Sequence, residues 1–148
     1  MRRRLLVALA GLLAPPALAQ DRVELTGEVI DTWCYFSGVM GGPDAVVGSA
    51  HHTCALWCSA GGIPVGLLAE DGTVYMILAL GESRESAGSD ALFELASHRI
   101  TVAGDVFARD GLNYLVVDEV LADDGIVHLS HDGYAVVPPF AIPEPEDG

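Results

Sequence analysis

Two Asp-Gly pairs, Asp71-Gly72 and Asp110-Gly111, each stand between two runs rich in valine, leucine and isoleucine. The tightest hairpin turn needs positive φ at its central residues, and Asp-Gly supplies this at little cost. Each pair therefore predicts a β-hairpin. The first joins "VGLLA" to a run over 73–80, and the second joins "HRITVAGDVFAR" to "LNYLVVDEVLADDG". In the second hairpin Ile100, Val102 and Val106 face Leu115, Val117 and Val120 as candidate core. An earlier run, "VELTGEVID" at 23–31, alternates Val23, Leu25, Gly27 and Val29 with polar residues, the pattern of a half-buried strand. Between the two hairpins, Asp90 is placed to cap a short helix, "ALFELAS", with Glu94 near its first turn. Five antiparallel strands with a helix between the third and fourth is the order of an OB-like barrel. Closing the sheet also removes the edges that an open one would leave exposed. The predicted fold class is thus mainly β, a small five-stranded OB-like barrel with a helical insert after its first strand.

The insert begins irregularly. In "TWCYFSGVMGGPDAVVG" the residues Gly38, Gly41, Gly42, Pro43 and Gly48 predict a series of turns. Ser49 then suits the cap of a helix over about 50–60, Gly61 a left-handed stop, and Pro64 forbids its continuation.

The ends of the sequence carry different signals. Three arginines, an apolar run over 5–14 and "PPALAQ" with an Ala-x-Ala site make a secretory signal peptide over 1–19. Arg2 and Arg3 admit either the general export route or the twin-arginine one. The predicted location is periplasmic or secreted, with one domain over 20–130 and a proline-rich acidic tail over 131–148. Without the leader, four arginines remain against 21 carboxylates, a net charge of −17, and the chain has no lysine. Such a surface repels phosphate backbones and anionic lipid, which argues against nucleic-acid and membrane-surface partners. The apolar run of the leader is too short to span a bilayer.

An oxidising compartment makes three cysteines an informative number, because one is left over from any pair. Two lie in "HHTCALWC". At about 100° per residue, His51, Cys54 and Cys58 fall within roughly 60° of one another on one helix face. Cys34, in the loop after the first strand, can supply a fourth donor. A Cys34, His51, Cys54 and Cys58 set suits tetrahedral zinc, and thiolate-rich sites also suit copper(I). Met40 is an alternative ligand for copper(I), and Trp33 and Trp57 are candidates to shield an ion from water. Asp31 either orients His51 or simply ends its strand and starts a turn. His52, His98, His128 and His131 are read as surface groups, or His52 as support behind the site. Other uses of the cysteines stay open: a disulfide from Cys34 to Cys54 or Cys58 in an interaction module for a periplasmic protein partner, thiol redox chemistry, or plain packing. No catalytic residue stands out, since no Gly-x-Ser-x-Gly or His-Glu-x-x-His motif is present.

The segments "GEVIDTWCY", "HHTCALWCSAGGIPVGLL", "DGTVYMIL" and "ITVAGDV" together resemble a group of small secreted bacterial proteins of unknown function. Their shared pattern is Gly-x-Val-x-Asp-x-x-Cys, then His-x2-Cys-Ala-x2-Cys-x3-Gly-x-Pro, a hairpin and a Val-x-Gly strand. Gly27, Val29, Asp31, Cys34, His51, Cys54, Ala55, Cys58, Gly62 and Pro64 carry the likeness. It implies an OB-like barrel and the same three-cysteine, one-histidine set, and it implies no particular activity.

Overall fold

Residues 20–129 are described by the structure, a computed structural model. The described residues form five strands, β1 (Gln20–Asp31), β2 (Val65–Ala69), β3 (Val74–Leu80), β4 (Arg99–Arg109) and β5 (Leu112–Asp123). Helices α1 (Thr32–Ser37) and α2 (Gly48–Ala60) lie between β1 and β2, and α3 (Asp90–Glu94) between β3 and β4. The strands close into a barrel in the order β1-β2-β3-β5-β4, the OB-like arrangement read from the sequence. One seam differs from the all-antiparallel expectation. β3 pairs with β5 in parallel, so the barrel is mixed. Both hairpins form at their Asp-Gly turns. Asp110 and Gly111 take φ of 53° and 82°, the conformation that the short loop demands. The leader, the tail over 131–148, His131 and the Asp132-Gly133 turn lie outside the described residues, and residues 124–129 form no strand.

β1 closes the barrel by changing partners along its length. Its residues 20–28 pair with β4, and its residues 27–31 pair with β2. Gly27 sits at the handover. A side chain there would come within 2.8 Å of the Leu68 carbonyl carbon and 3.0 Å of Ala69 Cα. Past this handover the end of β1 is paired with β2, where Asp31 stands opposite Val65.

Two apolar clusters flank this strand. Inside the barrel, Val29, Val65, Leu67, Ile77, Ile100, Val102, Leu115 and Val117 pack together, with Leu92 of α3 buried among them as the plug. On the outer face, Ile30, Cys34, Val46 and Val47 are buried together, with Leu68, Val74, Met40, Cys54 and Cys58 packed against them. The adjacent apolar pair Val29-Ile30 serves both clusters. The last part of β1 is therefore covered on both sides, whereas simple alternation predicts one.

The insert is more ordered than its glycines suggest. Asp31 caps α1 by accepting hydrogen bonds from the backbone N–H of Trp33 and Cys34, and Gly38 ends it at φ 63°. A 3-10 turn over Pro43–Val46 follows. α2 starts at Gly48, not after a Ser49 cap. Ser49 is buried in its first turn, and the helix has no side-chain cap from its own N-cap residue. Distant groups satisfy its first donors instead: the Glu28 carboxylate accepts from Gly48 N–H, and the His128 carbonyl accepts from Ser49 N–H. At the other end Gly61 is right-handed, and Gly62 takes the positive φ, 82°. The cap of α3 is Ser89, whose side chain accepts from Leu92 N–H, with Asp90 in the first turn.

Glu28 holds α2 to the barrel at an electrostatic cost. Burial pushes its carboxyl up to about 7, against the opposing hydrogen bond from Gly48. A group whose folded pKa is raised contributes stability below its unfolded value and loses it as pH climbs through the folded one. The loss here runs from about pH 4.5 to 7. Gln keeps the acceptor without the charge. Glu28→Gln is expected to match the wild type near pH 4.5 and to exceed it by about 1–3 kcal/mol at pH 8. Urea unfolding at the two pH values measures this, and a pH-independent difference would refute it.

Candidate metal centre

Three elements deliver four donor side chains to one point. Asp31 comes from the end of β1, Cys34 from the first turn of α1, and Cys54 and Cys58 from successive turns of α2. Their donor atoms all lie within 4.8 Å of one another. Asp31 and Cys34 are buried, while Cys54 and Cys58 are partly exposed, so the cluster is closed below by the barrel and open toward α2. All three cysteines are free thiols.

The local reasons are simple. Asp-x-x-Cys at a helix start puts the cap carboxylate and the third helical side chain on the same side of the first turn. Oδ1 of Asp31 accepts from Trp33 N–H at 2.8 Å and from Cys34 N–H at 3.2 Å. Cys54 and Cys58, four residues apart, are neighbours on a helix face. The apolar contacts of Ile30, Val46 and Val47 press α1 and α2 onto the same patch of sheet.

His51 shares that face but stands one step back. Its Nε2 donates to Oδ2 of Asp31 at 3.4 Å, with both side chains only 1% exposed. Its Nδ1 is buried with no hydrogen-bond partner among the described residues. The tight set thus contains Cys34, Cys54 and Cys58 as read from the sequence, with Asp31 as its fourth member and His51 bonded behind Asp31. Asp31 is both strand end and partner of His51, the two roles weighed for it above, and it gains a third as a donor facing the thiols.

Charge in the cluster is concentrated on Asp31. Burial alone would raise its pKa, but hydrogen bonds from the Cys58 thiol, the Cys34 amide and thiol, and His51 outweigh this and hold it below the usual range. The thiols respond in the opposite sense. Burial, then the neighbouring Asp31 carboxylate, then Cys54 push Cys34 up to about 12, and the same causes raise Cys58 further. The arrangement sets a carboxylate against the thiols of Cys34 and Cys58, both of which it holds toward the protonated form.

Comparison of the chain with family models, with curated proteins and with solved structures finds no match. The geometry of the site itself therefore carries the functional argument.

The surroundings differ from the expected shield. Trp33 and Trp57 are 61% and 75% exposed and point away from the cluster into solvent. The reason is the helical period: each precedes a cysteine by one residue, so it turns about 100° from that cysteine's inward face. Met40 packs half-buried in the outer apolar cluster. His52 is half-buried and donates from Nδ1 to the Ala96 carbonyl at 3.0 Å, tying α2 to the end of α3. His98 and His128 lie near Asp123 and Asp44, away from the thiols. No described helix is long and apolar enough to cross a membrane.

Proposed function

We propose that this chain is an exported transition-metal-binding protein, with Asp31, Cys34, Cys54 and Cys58 as ligands and His51 supporting Asp31. The observation that carries this reading is the convergence of four donors within 4.8 Å from three separate elements. Zinc bonded tetrahedrally to sulfur at about 2.3 Å needs ligand atoms about 3.8 Å apart. The cluster therefore needs to contract by no more than about an ångström to hold one ion. The three thiols of the set suit zinc and also copper(I). The basic and then apolar start of the sequence supports export.

Four protein ligands complete a tetrahedral shell, which favours binding, delivery or a structural role over catalysis at the ion. Burial beside the Asp31 carboxylate holds Cys34 and Cys58 toward the thiol form, which disfavours these two as redox nucleophiles.

Native mass spectrometry of the reduced protein with one equivalent of zinc tests the reading, followed by alkylation under native conditions. One bound zinc per chain is expected, with all three cysteines protected until a chelator is added. Equal alkylation with and without zinc would overturn the proposal.

A further inference from the structure

The cluster differs from an all-sulfur site by one oxygen, and the structure spends several interactions on that oxygen's position. Oδ1 of Asp31 is committed to two amides at the start of α1. Oδ2 is turned by His51, and the pair is almost wholly buried. His51 Nδ1 remains buried without a hydrogen-bond partner among the described residues. An orphaned buried polar atom is destabilising, so the ring is held there against a cost, and its Nε2 contact is the polar interaction its ring makes among the described residues. A carboxylate that needed only to cap a short helix would not need a buried histidine behind it.

Resting on the metal-binding reading above, we infer that Asp31, positioned by His51, biases this site toward a divalent ion and away from copper(I). Three thiolates and one carboxylate carry four negative charges. A divalent ion leaves two uncompensated, and a monovalent ion leaves three. In a partly buried site, with Asp31 and Cys34 out of water, each uncompensated charge is costly, so the difference falls on the monovalent complex. Ligand chemistry acts in the same direction. Thiolates accept either zinc or copper(I), whereas a carboxylate is a poor partner for a soft monovalent ion. Copper(I) would bind the sulfurs alone and leave a buried carboxylate uncoordinated beside an anionic cluster. Asp31 is thus the specificity-determining residue, and His51 is a positioning residue acting through it.

The test measures zinc and copper(I) affinities of the full chain under anaerobic, reducing conditions, by competition with chromogenic chelators for each ion. Wild type is compared with Asp31→Asn, His51→Gln and His51→Ala. Asn is as good a helix cap as Asp, so Asp31→Asn removes the charge and keeps α1. It is expected to weaken zinc by about 100-fold and to change copper(I) by less than about threefold. His51→Ala is expected to weaken zinc about tenfold, and His51→Gln, which retains an N–H donor, by less. The cobalt(II) complex of Asp31→Asn should show shifted visible bands with an unchanged far-ultraviolet circular dichroism spectrum, a change that a purely structural role would not produce. Parallel losses for both ions, or an unchanged zinc-to-copper(I) ratio, would overturn the specificity role while leaving the metal site standing. Failure of the wild type to bind either ion would overturn both.

Discussion

Replacing Cys34 with serine is expected to weaken zinc binding by more than about 100-fold, the largest effect of any single ligand change. Cys54 and Cys58 share one helix, so losing either leaves the other in place on α2. Cys34 is the only thiol on the barrel side. It is buried in the outer cluster beside Ile30, Val46 and Val47, and as a ligand it would join α1 to α2 through the ion. Serine is close in size, and its hydroxyl can use the Asp31 carboxylate that now receives the thiol. The fold should therefore survive. A ligand that binds only the native state at 100 times its dissociation constant adds about 2.7 kcal/mol of stability. The wild type should show a gain of that order on adding zinc, and Cys34→Ser should show little. Chelator competition gives the affinity, and urea midpoints with and without zinc give the linked stability. A serine variant that binds zinc as tightly as the wild type would remove Cys34 from the ligand set.

What the sequence disclosed about this fold and site follows the range of the interactions involved. The Asp71-Gly72 and Asp110-Gly111 hairpins were legible because turn chemistry is local. The shared face of His51, Cys54 and Cys58 was legible because a helix is regular. α1 reads as irregular in the sequence, although its two ends are written there as Asp31 and Gly38. Six residues are too few to show a helical period, so only the caps could have marked it. The start of α2 was misplaced because Glu28 and His128, distant in sequence, satisfy its first amides. The parallel pairing of β3 with β5 has no local signature at all and follows from closing the barrel. The same limit applied at the site. Convergence of the cysteines could be read from spacing, but whether Asp31 or His51 stands nearer the thiols depends on how α2 docks against β1. The Val29-Ile30 pair was the one available hint that β1 is covered on both faces there.

The dependence of the site on barrel closure makes a second strong expectation. Gly27→Ala should destabilise the protein by about 3 kcal/mol or more, although it changes neither a core side chain nor a ligand. Gly27 is where β1 passes from β4 to β2, and its missing Cβ lets the Leu68 carbonyl and Ala69 approach. These neighbours are backbone atoms of a paired strand, so the crowding cannot be relieved by turning a flexible side chain. Relief requires β1 to move away from β2, which opens the seam where Ile30 pairs with Gly66 and Asp31 with Val65. The same movement shifts the Asp31 cap and, through it, Cys34. A loss of stability alone would be expected from many glycine changes. The distinguishing result is a simultaneous fall in zinc affinity, measured where the variant is still fully folded by circular dichroism. Ser97→Gly, at a positive-φ position between α3 and β4 and outside the donor cluster, is a useful control. Glycine there relieves backbone strain and should leave zinc affinity unchanged. If Gly27→Ala loses stability yet binds zinc as the wild type does, the close pairing of β1 with β2 is not what places Asp31 and Cys34, and the outer cluster holds them unaided.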